Sequence, residues 1–184
     1  MIEEIRAHGE NTLKLVAQGK ARITFPEWAL ITISENEKGK LITGCDTCMM
    51  LAKSNCYEKL SLVFHDVTEE TVKECTGTKQ EGLYTCFTED MAKKVIAFID
   101  RVNKKNIPAL IAQCAAGISR SGAIAVFACR YLGLNENTIR EHHKYIGPNP
   151  HVYDTLVKVS GMRGEYEAWW ENLPMDPSIE KMFQ

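Results

Sequence analysis

A cysteine and an arginine lie close together in the sequence, where a buried strand is expected to give way to a helix. An apolar run ends at Cys114, five residues separate it from Arg120, and an alanine-rich apolar segment follows. This pattern predicts a strand, a tight loop and the start of a helix. Because a helix N-terminus presents unpaired N–H groups and the positive end of the helix dipole, such a loop is suited to binding an anion.

The residue types in this loop predict nucleophilic chemistry on a phosphoryl group. A helix N-terminus and a nearby cation favour the thiolate form of a cysteine, which is its nucleophilic form. The planar guanidinium of Arg120 can bind two phosphoryl oxygens at once. Small residues after Cys114 let the backbone approach an anion closely. The residues expected to hold the phosphate are Ala115, Ala116, Gly117, Ile118, Ser119 and Arg120.

The segment Cys114–Ser121 resembles the Cys-x5-Arg-Ser/Thr signature loop of the cysteine-dependent tyrosine and dual-specificity phosphatases. We call this segment the signature loop. The resemblance implies an α/β fold with a central, mostly parallel sheet and helices on both sides. It also implies a cysteinyl-phosphate intermediate, a hydrogen bond from Ser121 to the sulfur, and no metal or cofactor. The family usually has histidine where this chain has Gln113, so the thiolate would depend more on the loop amides and on Arg120.

An acid upstream of the signature loop is expected to protonate the leaving oxygen, an effect worth roughly 10²–10⁴-fold in rate. The family uses an aspartate from a loop that follows a strand. Asp66 fits this description, and the segment 64–67 resembles the Phe-x-Asp-Val segment of small microbial members. Glu89 and Asp90 are rivals, although acids in the first turn of a helix usually serve the helix itself. Asp100 falls in the middle of a predicted helix and is the weakest candidate.

The elements expected around the signature loop follow from apolar patterning and turn residues. Strands are predicted at Trp28–Ser34 and Leu60–Asp66, after an irregular start with short strand character near Ile23. Residues 67–87 are predicted to be a long loop that can carry Asp66 over the site as a lid. The segment 146–149 resembles the family's Pro-Asn turn. Helices are predicted near residues 46–54, 88–102, 123–132, 135–145, 153–159 and 165–172.

Composition limits the class of protein. The 184 residues suit one domain, 1–184, of which roughly 28–157 carry the resemblance. With 22 basic and 24 acidic residues, the chain shows no sign of a nucleic-acid or membrane-surface binder.

We see neither a signal peptide nor an apolar run of membrane-spanning length, so the seven cysteines are expected to be reduced and the location cytoplasmic. The Cys45/Cys48 pair could be half of a zinc site or a redox pair, but ordinary buried residues are the favoured interpretation.

These patterns favour a phosphomonoester hydrolase acting on phosphorylated proteins or peptides, as a tyrosine or dual-specificity phosphatase. Phosphate, sulfate or vanadate are expected to occupy the signature loop. One alternative is a phosphatase of phosphoinositides or of RNA 5′ phosphates, although the loop lacks the extra lysines that extra phosphates would require. The other alternative is a phosphate-binding module without catalysis, for which Gln113 is the only support.

Overall fold

In the described part of the protein, a four-stranded parallel sheet forms the centre, with strand order β1-β4-β2-β3. We describe a computed structural model, covering residues 1–17, 22–35, 55–79, 81–135, 138–139 and 146–162. The carboxyl ends of parallel strands meet at one edge of a sheet, where α/β proteins commonly bind ligands. The elements are β1 (Glu4–Gly9), α1 (Glu10–Ala17), β2 (Trp28–Ser34), β3 (Cys56–Val63), α2 (Glu69–Cys75), α3 (Glu89–Lys104), β4 (Ala109–Cys114), α4 (Arg120–Tyr131) and α5 (Pro150–Ser160).

Both faces of the sheet are covered by helices, as the sequence predicted. Successive residues of a strand point to opposite faces. On one face, Leu30 and Ile111 join a small cluster with Leu13 of α1. On the other face, Ile31 and Leu110 belong to the main core, which also contains residues of α3, α4 and α5. Every residue of β4 is buried, which explains why its sequence is a nearly continuous apolar run.

The helices next to the signature loop begin in different ways. Helix α3 is capped by Thr88, whose hydroxyl accepts the N–H of Met91 at 3.3 Å, as predicted for this residue. Helix α5 is capped by Asn149 and has proline at its start. Helix α4 has neither a side-chain cap nor an acidic residue in its first turn. Its positive end is therefore not neutralised by its own side chains, as an anion site requires.

The prediction of an irregular start with strand character near Ile23 is wrong. Residues 4–9 form β1, and helix α1 follows it directly, whereas residues 22–24 belong to no strand. Only Ile5 and Ala7 of β1 are buried, so its alternating pattern is too short to stand out in the sequence. The strand forms because β4, far along the chain, supplies its hydrogen-bonding partner.

The segment 67–87 is more ordered than predicted. It contains α2, whose N-cap Thr68 accepts the N–H of Thr71 at 3.3 Å, so the prediction of a continuous loop is wrong there. Strand β3 also ends at Val63, and Asp66 lies beyond it. The predicted helices at 46–54 and 165–172, most of the one at 135–145, and the Cys45/Cys48 pair lie outside the described residues.

Candidate active site

The thiol of Cys114 lies at the end of the central strand β4 and faces two hydrogen-bond donors. The residue is buried, with 2% of its surface exposed. The N–H of Gly117 donates to Sγ at 3.3 Å, and the hydroxyl oxygen of Ser121 lies 3.1 Å from Sγ. Both groups can donate to a thiolate, so the signature loop is arranged to stabilise negative charge on the sulfur.

The guanidinium of Arg120 is buried and held at two of its three nitrogens. Nη1 donates to the carbonyl oxygen of Phe64, and Nη2 donates to Oε1 of Glu35, each at 2.9 Å. In the part of the chain that the structure describes, Nε of Arg120 is the one fully buried side-chain nitrogen or oxygen without a hydrogen-bond partner. A buried guanidinium donor left open in this way is suited to an anionic oxygen.

Glu35 orients Arg120 from outside the signature loop, so we expect Glu35→Gln to weaken phosphate binding. The amide keeps an acceptor but loses the charge that balances the guanidinium. Because the Glu35 side chain is 53% exposed, solvent screens this pair, and the expected fall in kcat/KM is only about threefold to tenfold. Steady-state kinetics at several salt concentrations measure it. Glu58→Gln is the matched control, since Glu58 of β3 forms an ion pair with Arg101 of α3. An equal loss of kcat/KM in both variants would contradict a local role for Glu35.

The carboxylate of Asp66 lies against the signature loop. Its Oδ1 accepts hydrogen bonds from Oγ of Ser119 at 2.8 Å and from Nδ2 of Asn149 at 2.7 Å. Its Oδ2 is 3.9 Å from Nε of Arg120, the nitrogen that is open to an anion. Asp66 is thus placed beside the position that a bound phosphoryl group would take.

The rival acids are engaged elsewhere. Glu89 pairs with Lys158 at 2.7 Å, and this hydrogen bond and charge hold the pKa of Glu89 below its ordinary value. Asp90 accepts a hydrogen bond from Lys93 at 3.0 Å, one turn along the same helix. Asp100 accepts a hydrogen bond from Tyr131 at 3.1 Å. Each of these contacts belongs to the helices, as expected for acids that stabilise structure.

Gln113 is fixed at both ends of its amide, although it stands where the family usually has histidine. The hydroxyl of Thr32 donates to Oε1 at 2.6 Å, and Nε2 donates to the carbonyl oxygen of Cys114 at 2.9 Å. These groups are buried, and Thr32 and Gln113 are paired across β2 and β4. The amide therefore fixes the backbone at the base of the signature loop without supplying a charge.

Two glycines allow β1 to pack against the signature loop. The register of β1 and β4 places Gly9 opposite Cys114. Gly117 has φ of +83°, which favours glycine, and a Cβ built on it would lie 2.3 Å from the backbone nitrogen of Gly9. A Cβ on Gly9 would lie 2.9 Å from the carbonyl oxygen of Ala116. Backbone thus packs directly on backbone, which leaves the loop little freedom to move toward β1.

We expect Gly9→Ala to destabilise the protein by about 1–3 kcal/mol, because the added methyl group overlaps a backbone oxygen that cannot rotate away. The same overlap should displace the signature loop and lower catalytic activity. Denaturant unfolding and steady-state kinetics measure the two effects. Gly147→Ala is the matched control, since its Cβ would meet only the Ile118 side chain at an ordinary 3.8 Å. Equal stability of the two variants would contradict this packing argument.

Of the four side chains that the sequence proposed for chemistry, the structure brings Cys114 together with Ser121, and Arg120 together with Asp66. Of the proposed phosphate-holding residues, Gly117 is buried, Ser119 is half-buried, and Ala115, Ala116 and Ile118 are exposed. Sequence reasoning missed Glu35, Gly9 and the contact of Asn149 with Asp66. All three are polar or small residues at a strand end or in a turn. Such residues can be assigned to the site only when the strand order shows which elements are neighbours.

Comparison with known proteins yields structural likenesses only. No protein-family model matches the chain, and no curated protein matches it in sequence. A crystal structure of PTPMT1 in complex with PI(5)P matches with a TM-score of 0.48 and 14% identity, covering 86% of this chain and 90% of that one. Human DUSP28 matches with a TM-score of 0.47 and 15% identity, covering 85% of this chain and 88% of that one. Tk-PTP in its active form matches with a TM-score of 0.45 and 18% identity, covering 86% of this chain and 89% of that one.

Among the helices that the structure describes, none combines the length and the apolar character needed to cross a bilayer.

Proposed function

We propose that this protein hydrolyses phosphomonoesters through a cysteinyl-phosphate intermediate, as a protein tyrosine or dual-specificity phosphatase. Two features of the signature loop together carry the proposal. The buried Nε of Arg120 has no hydrogen-bond partner, and the thiol of Cys114 lies within hydrogen-bonding distance of Ser121 and Gly117. One group can hold an anionic oxygen while the other attacks the phosphorus. The loop likeness described above agrees with this chemistry.

In the first step, Sγ of Cys114 attacks phosphorus, so the S–P bond forms as the bond to the leaving oxygen breaks. Arg120 and the loop N–H groups bind the remaining phosphoryl oxygens and stabilise the charge that develops on them. Asp66 gives its proton to the leaving oxygen, which departs as an alcohol or phenol. The products of this step are the dephosphorylated substrate and a cysteinyl-phosphate.

In the second step, water attacks the phosphorus of the intermediate and the S–P bond breaks. Asp66, now ionised, takes a proton from the water. Ser121, with its hydroxyl 3.1 Å from Sγ, donates a hydrogen bond to the departing thiolate. Inorganic phosphate leaves, and the enzyme returns to its starting protonation state.

The exposed part of the loop favours a single phosphate on an uncharged carrier. Ile118, 41% exposed, is the exposed large hydrophobic residue of the loop, and Arg120 is the loop's only cation. An apolar rim suits the ring of a phosphotyrosine or the side chain of a phosphopeptide. A polyphosphorylated headgroup would require further cations that the loop does not supply.

Hydrolysis of p-nitrophenyl phosphate in the presence of EDTA tests the proposal, with vanadate as inhibitor. We expect metal-independent turnover that vanadate blocks competitively. Phosphotyrosine peptides and a phosphoinositide, compared at equal concentration, then distinguish the substrate classes. Phosphate binding without turnover would favour the non-catalytic alternative, and faster hydrolysis of the phosphoinositide would favour the lipid one.

A further inference from the structure

We propose that Asn149 is the positioning residue for the general acid, and that it fixes which oxygen of Asp66 carries the proton. This inference rests on the proposed phosphatase function and deepens it. Asn149 is 6% exposed and lies in the turn before α5, outside the signature loop. Its Nδ2 donates to Oδ1 of Asp66 at 2.7 Å.

All four polar groups of Asn149 have a partner, so its side chain has one orientation. Its backbone N–H donates to the carbonyl of Ser119 at 3.2 Å, and its own carbonyl accepts the N–H of Tyr153 at 3.1 Å. Its Oδ1 accepts the N–H of Val152 at 3.1 Å, which caps α5. Because Oδ1 is used by the cap, Nδ2 is the end of the amide that must point at Asp66.

Ser119 completes a closed set of contacts around the acid. Its hydroxyl donates to the same Oδ1 of Asp66 at 2.8 Å, while its carbonyl accepts from Asn149. The side chain of Ser119 is used in this way although it stands at the N-cap position of α4, where it makes no capping bond. Asp66 is therefore connected to the signature loop and to helix α5 through one oxygen.

This arrangement assigns the proton of Asp66 to Oδ2. Ser119 and Asn149 already donate hydrogen bonds to Oδ1, so a proton bound to Oδ1 would be repelled by the hydrogens of these two donors. Oδ2 is the oxygen beside Arg120 Nε, where the phosphoryl group would bind. The proton passes from Oδ2 to the leaving oxygen, and the carboxylate that results keeps both of its hydrogen bonds at Oδ1.

In the part of the chain that the structure describes, the charged contact of Asp66 is with Arg120. Arg120 faces Oδ2, and Glu35 binds the other side of the same guanidinium. The Nδ1 of the neighbouring His65 accepts the N–H of Thr85 at 3.0 Å.

Replacement of Asn149 by serine or aspartate tests this role, since both residues cap helices about as well as asparagine. Neither can donate an amide N–H to Asp66. With a phosphotyrosine peptide we expect Asn149→Ser to lower kcat about tenfold or more, with a smaller loss on p-nitrophenyl phosphate.

A second series of variants separates positioning from folding. In an Asp66→Asn background, Asn149→Ser should have almost no further effect on kcat, since there is no acid left to position. Asn149→Asp should lose at least as much activity as Asn149→Ser, because it places a second carboxylate against Asp66. Thermal unfolding of each variant reports whether the cap of α5 is kept.

Two results would overturn the inference while leaving the phosphatase proposal intact. One is an Asn149→Ser enzyme with wild-type kcat on the phosphotyrosine peptide. The other is a loss that is equal for both substrates and persists in the Asp66→Asn background, which would indicate a structural role only. If the wild-type protein showed no metal-independent turnover at all, the proposed function itself would fail. In that case the NMR signals of the Asn149 side-chain amide, which should shift in Asp66→Ala, would still test the contact.

Discussion

Replacing Cys114 by serine is expected to reduce turnover on the order of 10⁴-fold or more while leaving oxyanion binding close to that of the wild type. A hydroxyl is a far weaker nucleophile than a thiolate at neutral pH, so the S–P bond cannot form. The donors that hold the anion, Arg120 and the loop N–H groups, are unchanged. Single-turnover kinetics with a phosphotyrosine peptide measure the loss, and titration with phosphate or tungstate measures the binding.

Cys56→Ser is the matched control for this change. Cys56 begins β3, so it lies at the opposite end of the parallel sheet from Cys114. We expect it to retain wild-type turnover. Near wild-type hydrolysis by Cys114→Ser would show that the reaction does not pass through a cysteinyl-phosphate, and a loss in both variants would indicate a general effect of removing a thiol.

Asp66→Asn is expected to slow hydrolysis of a phosphotyrosine peptide by roughly 10²–10⁴-fold, and that of p-nitrophenyl phosphate much less. Tyrosine leaves as a phenol of pKa about 10 and needs protonation, whereas p-nitrophenolate is a far weaker base. Asparagine keeps the acceptor for Ser119 and Asn149 and loses only the transferable proton. The alkaline limb of the pH–rate profile should disappear, because it reports loss of that proton.

Asp90→Asn is the control for the acid. Asp90 is exposed in the first turn of α3 and bonds to Lys93, so we expect at most a small loss of helix stability and no dependence on the leaving group. If Asp90→Asn instead showed the leaving-group dependence and Asp66→Asn did not, the general acid would lie at the start of α3.

The local parts of the site could be predicted from the sequence because their signals lie close together in the chain. The apolar run ending at Cys114, the small residues after it and Arg120 together specify a strand, a loop and a helix. Thr88 likewise predicted the start of α3 through its capping chemistry. In each case one short segment contains the residue and the neighbours that determine its conformation.

The parts that could not be predicted depend on strand order. Glu35 reaches Arg120 because β2 is next to β4, and Gly9 touches Gly117 because β1 is on the other side of β4. Neither neighbour relation follows from apolar patterning. Asn149 was part of a recognised turn, yet its contact with Asp66 joins segments that are distant in the chain. Sequence periodicity describes single elements and carries no information about which of them meet.

The strand order also determines when the phosphate site can come into existence during synthesis of the chain. Strands β1 and β2 are separated in the sheet by β4, which is the last of the described strands to be made. Until residues 109–114 are available, β1 has no partner, and the signature loop has neither its strand nor its glycine contact. Completion of the sheet and assembly of the site therefore occur together. Both depend on strand pairings between segments that are distant in the chain, and such pairings form slowly. A nascent chain that ends before β4 contains no phosphate site, and recovery of activity on refolding should coincide with completion of the sheet.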